Sequence, residues 1–119
     1  MYCKLYIHAP SPEAVAQLLE KHFGKAEKKR RDCYFRDFEM MLKRNEEADS
    51  KKMSMPSEGF LYYEVMAETE FYREHIKLTD SILRLLRENG MPAAAACDYE
   101  QELEEKNITS VRRSVWNIP

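Results

Sequence analysis

The chain has 119 residues, 44% hydrophobic and 11% aromatic, which is enough apolar surface for one packed core and too little chain for two. That balance excludes wholesale disorder and a two-domain arrangement. Nineteen Lys and Arg against twenty-one Asp and Glu leave a net charge of -2, so there is no overall electrostatic case for nucleic-acid binding.

The opening alternates. In YCKLYIHA, residues 2 to 9, Tyr2, Lys4, Tyr6 and His8 face one way and Cys3, Leu5, Ile7 and Ala9 the other, the pattern of a half-buried strand. No apolar run reaches the roughly 20 residues of a membrane helix, and MYCKLYIHAP lacks the basic-then-apolar layout of a signal peptide. A soluble, cytoplasmic protein is expected.

In PSPEAVAQLLEKHFG, Ser11 suits an N-cap, Pro12 the first turn and Gly24 the end. Val15, Leu18, Leu19, His22 and Phe23 form the apolar stripe of an amphipathic helix. A basic block, KAEKKRR at 25 to 31, follows. Without interleaved aromatics it is read as an edge-strand solubility device rather than a phosphate site.

From Cys33 to Arg44 alternation resumes, predicting a second strand with Phe38, Met40 and Leu42 on one face. The polar run NEEADSKKMSMPSEG is expected to be a long mobile loop. FLYYEVMAETE, residues 60 to 70, is aromatic and branched, and predicts a third strand with Leu61, Tyr63, Val65 and Ala67 on one face. Those of Tyr34, Tyr62 and Tyr63 that face away from the helices would form an aromatic surface of the kind that docks protein or a second copy of the chain.

Phe71, His75, Leu78 or Thr79, Ile82, Leu83 and Leu86 then recur at helical spacing up to Gly90, where a left-handed cap is expected. MPAAAACDY is too short for a further helix and is expected to be a fourth strand, its small side chains letting the long helix approach the sheet. The order predicts an α+β, ferredoxin-like βαββαβ fold, a four-stranded antiparallel sheet with two helices on one face and strands one and three central. Residues 1–107 make the domain, and 108–119 a tail or extra edge strand.

Sites are sparse. Cys3, Cys33 and Cys97 lack C-x-x-C spacing, so reduced thiols are expected rather than a disulfide framework or zinc. Asp98 beside Cys97 is expected to raise that thiol's pKa. His8, His22 and His75 are dispersed, and neither metal nor cofactor is predicted. The acidic segment Asp98, Glu100, Glu102, Glu104 and Glu105 is expected to leave the fourth strand as an exposed rim, with Asp98, Glu100 and Glu102 as partner contacts and a solvated loop as the plainer alternative.

GFLYYEVMAE and NGMPAAAACDYEQEL, separated by one helix, resemble a small bacterial family of unassigned activity. Its strand of the form F-L-Y-Y is followed by a helix and a G-I/M-P-A-x-A-A-C-D-F/Y-E run. The likeness covers residues 59 to 103, extends weakly to LKRNEEAD, and some members of the family resemble immunity proteins of toxin systems. It implies a bacterial, non-enzymatic protein-binding role with a protein partner, a cognate toxin being the specific form. The alternative is a small dimeric ferredoxin-like ligand-binding domain or enzyme. No nucleic acid and no membrane are expected as partners.

Overall fold

The computed structural model describes residues 1–56 and 58–106, and the tail 108–119 together with the predicted boundary at 107 lies outside the described residues. Strand β1, Tyr2–Ile7, follows the predicted alternation, with Cys3, Leu5 and Ile7 wholly buried. Helix α1, Pro12–Phe23, is capped by Ser11, whose Oγ accepts the Ala14 N–H at 3.1 Å. Its buried stripe is Val15, Ala16 and Leu19. His22, expected on that stripe, falls off it and is exposed.

The basic block becomes a hairpin. Strands β2, Glu27–Lys29, and β3, Asp32–Tyr34, pair across a two-residue turn, with Arg30 in the left-handed region at φ 61°. The second strand predicted from 33 to 44 is therefore two strands, with β4 occupying Phe38–Arg44. The chain bends between them so that the Phe35 and Phe38 rings stack at 4.6 Å, and the Phe35 N–H reaches the Phe38 carbonyl.

Residues 45–56 and 58–63 carry more local structure than the expected loop. Asn45 is buried, and its Nδ2 donates to the carbonyls of Leu61 and Tyr63, both at 2.8 Å, while its Oδ1 accepts from the Glu47 N–H. Single 3-10 turns form at Lys52–Ser54 and Gly59–Tyr62. The third strand consequently starts later than predicted: β5 is Val65–Phe71, and F-L-Y-Y is not part of it. Phe71 ends this strand rather than opening the next helix.

Helix α2, His75–Glu88, ends at Gly90 at φ 77° as predicted, with the Gly90 N–H on the Arg87 carbonyl and the Met91 N–H on the Leu86 carbonyl. This double hydrogen bond is the Schellman closure. Strand β6, Ala93–Cys97, follows, and then a short helix α3, Glu100–Glu105.

The fold is α+β, and its sheet has six strands rather than four, in the order β2-β3-β4-β5-β1-β6 with every pairing antiparallel. The two additional strands come from splitting the basic block and the expected second strand. Strands β1 and β5 are neighbours, as predicted, but the added hairpin moves the middle of the sheet to β4 and β5. Phe38, Met40, Leu42, Val65, Ala67 and the inward face of β1 join Leu19, Ile82, Leu83 and Leu86 in one core, so α1 and α2 cover the same face. The alanines divide: Ala95 and Ala93 stand opposite Leu5 and Ile7 on the helix side, whereas Ala94 and Ala96 point the other way.

Candidate functional site

Strand alternation puts the remaining side chains of the sheet on the face away from the helices. Across that face the register sets Tyr34 opposite Glu39, Glu39 opposite Glu70, and Glu70 opposite Tyr2. A parallel row runs Asp32, Met41, Glu68, Lys4. Tyr2, Tyr34 and Tyr72 are 46%, 36% and 50% exposed, so at this end the face is open, whereas toward the other end Phe60 packs edge-on to Tyr6 at 5.5 Å.

Two carboxylates directly opposite on neighbouring strands repel each other. Glu39 and Glu70 stand in that relation, with the Met1 amine paired to Glu70. Glu68 is better accommodated: it accepts the Tyr2 hydroxyl at 2.8 Å and pairs with Lys43 at 3.2 Å, and the Tyr2 bond holds its carboxyl below the usual range. Burial, then the Glu68 hydrogen bond, pushes the Tyr2 phenol up to about 12. The Tyr34 phenol is pushed up by the charge of Asp32, and that of Tyr72 by burial and then by Glu39. The site is a negative, tyrosine-flanked surface.

The acidic segment enters the same end of the sheet. Cys97 stands opposite Cys3, so Asp98 leaves β6 beside Tyr2. The strand does not continue into alternate carboxylates: the chain turns into α3, anchored by Tyr99 at 2% exposure and Leu103 at 0%. Asp98 and Glu102 are exposed, while Glu100 is half-buried and its Oε1 accepts the Cys97 N–H at 3.3 Å. Of the three predicted contacts, Asp98 and Glu102 face solvent and Glu100 is turned back toward the end of β6.

The thiols depart from expectation. Cys97 is pushed down, chiefly by its hydrogen bond with Cys3, and the carboxylate acting against this is Glu100 rather than Asp98. Cys3 is pushed up by the same bond and by burial. His8 Nδ1 lies 2.8 Å from Glu64, and the His75 ring meets Tyr99 edge-on at 4.7 Å, leaving the histidines on separate elements. Among the described residues no group of three or more His, Cys, Asp or Glu is placed to hold a metal ion, and no helix is long and apolar enough to cross a membrane.

Sequence reasoning overlooked Glu39, Glu68 and Glu70. Their signal was present as the polar half of the alternations FEMMLKR and VMAETEF, but which strand lies against which is not visible in either segment alone. The chain matches no protein-family model, no curated protein and no solved structure.

Proposed function

We propose that this protein is a non-enzymatic binding module that docks a basic protein surface with the acidic, tyrosine-bearing end of its open sheet face. The observation carrying the reading is the cross-strand pair Glu39 and Glu70, set between Tyr34 and Tyr2. A sheet selected for stability alone would place unlike charges there. Because the Met1 amine already pairs with Glu70, Glu39 is the carboxylate that a partner's Lys or Arg would neutralise, and tyrosine is enriched at such interfaces. Asp98 and Glu102 extend the surface past β6.

The four strands β4, β5, β1 and β6 with two helices on one face support a ferredoxin-like nucleus, to which the β2–β3 hairpin adds an edge. The resemblance of residues 59 to 103 to a bacterial family with immunity-like members supports a toxin as the partner, and a basic nuclease has the required charge.

The test is co-expression with the product of each neighbouring gene, followed by association kinetics on any complex. Glu39→Lys is expected to slow association by about tenfold and flatten its salt dependence, while thermal stability holds or rises because the introduced ammonium would face Glu70. Failure of every neighbouring product to bind, or a complex indifferent to Glu39→Lys and to ionic strength, ends the proposal.

A further inference from the structure

At the opposite end of the molecule a hollow of about 590 Å³ lies between the first turn of α1 and the β2–β3 hairpin, lined by Lys28, Arg30, Arg31, Lys43 and Arg44 among others. Two of these cations are already neutralised: Lys28 pairs with Glu20 at 2.7 Å and Lys43 with Glu68 at 3.2 Å. Arg30, Arg31 and Arg44 have no ion pair among the described residues, and all three are exposed. The unmatched positive charge of the hollow is therefore arginine.

Its construction is unusual in two respects. Arg30 occupies a left-handed position at φ 61° in a two-residue hairpin turn, where glycine or asparagine is the unstrained choice. Strand β3 also pairs no further than Asp32 with Met41, so beyond the Leu42 N–H bond to the Arg31 carbonyl the last residues of β4 have no outer strand. The edge is left open where the arginines gather. A second hollow of about 410 Å³ shares Arg31, Lys43 and Arg44 but opens on the sheet face away from the helices, where Lys4, Tyr62 and Met66 line it.

We propose that the first hollow binds a small phosphorylated molecule, with the phosphate on Arg30, Arg31 and Arg44 and any organic portion passing Arg44 round the sheet edge toward Tyr62. Guanidinium forks match phosphate oxygens bidentately, and three of them suit a multiply charged phosphate better than a single carboxylate. The volume is that of an ordinary small-ligand site. An extended nucleic-acid backbone fits less well, because Glu13 and Glu46 also line the hollow and the carboxylate rows of the sheet face lie beyond it. This site is distinct from the acidic docking surface and does not depend on it.

The test is calorimetric titration of the full chain with inorganic pyrophosphate and, separately, with ADP. At least one is expected to bind with Kd below about 1 mM, with Arg30→Gln, Arg31→Gln and Arg44→Gln each weakening it by about tenfold or more. Glu39→Gln, at the other end, should leave it unchanged. The arms separate the source of the phosphate: tighter binding of ADP identifies an organic phosphate, and equal or weaker binding identifies the phosphate group alone. Circular dichroism checks that the exposed arginine substitutions preserve the fold. Absence of binding by both probes, or affinities unmoved by all three substitutions, overturns the proposal. So does sedimentation showing self-association that Arg44→Gln or Glu39→Lys abolishes, because the cleft would then hold the acidic end of a second copy.

Discussion

Cys97 owes its character to a residue at the far end of the chain. Its hydrogen bond with Cys3 and the Tyr99 backbone lower its pKa against the opposing effect of burial, while Cys3 and Cys33 are both raised. Thiolate is the reactive form, so iodoacetamide near neutral pH is expected to alkylate Cys97 before the other two, as peptide mapping would show. First modification at Cys33 would contradict this hydrogen bonding. The sequence points the other way because Asp98 is the visible neighbour, and a cross-strand partner has no local signal. Tyr2 and Glu68 give a second consequence. Because the folded pKa of Glu68 is lowered from 4.5, its contribution is present above that pH and is lost as pH falls through the lower folded value. Tyr2→Phe should therefore lower the melting temperature by a constant amount from about pH 6 to 8, and by less below about pH 4. A difference that stays constant into acid would remove the Tyr2–Glu68 bond from the account.

At the scale of elements, the alanine strand is built for close packing on one side only. Ala95 is fully buried on the helix side, opposite Leu5, so Ala95→Leu should overpack the core at a cost of about 1–3 kcal/mol. Ala96→Leu, half-buried on the other face, should cost under about 0.5 kcal/mol by urea denaturation. Equal effects at the two positions would refute the register. Gly90→Ala should cost about 1–2 kcal/mol through backbone conformation alone, since a Cβ there meets nothing within 4 Å. The elements legible in the sequence are those whose signals are local: the Ser11 cap, the stripe of α2, the Gly90 closure and the alternation of β1. KAEKKRR was legible as an edge strand, which β2 is, but not as the first arm of a hairpin, because a run of like charges carries no hydrophobic period. F-L-Y-Y misled for a different reason. Its propensity is that of a strand, but Gly59 packs so closely on the Met53 carbonyl that a Cβ there would collide with it, and Asn45 holds Leu61 and Tyr63 by their backbones. Tertiary contacts from residues 45 to 53 override the propensity.

On the whole molecule, the net charge of -2 conceals a segregation that appears only when the strands are laid side by side. Glu39 and Glu70 stand opposite each other at the end where Asp98 leaves β6, and Arg30, Arg31 and Arg44 gather around the cleft at the other end. Each cluster repels itself. Sodium chloride screens such exposed groups, with a Debye length near 10 Å at 0.1 M, so raising it from about 0.02 to 0.3 M is expected to increase the melting temperature. The opposing contribution comes from surface ion pairs such as Arg84 with Asp80 and Arg73 with Asp37, which salt weakens but which are each worth only about 0–1 kcal/mol. Glu39→Gln removes one side of the closest acidic opposition. It should stabilise the protein at low salt and reduce the slope against salt concentration, while the same substitution at Glu102, exposed on α3, should do much less to either. A melting temperature that falls with salt, or a slope unaffected by Glu39→Gln, would mean that the paired charges outweigh the opposed ones. The Glu39–Glu70 pair would then no longer distinguish a docking surface from an ordinary charged sheet face.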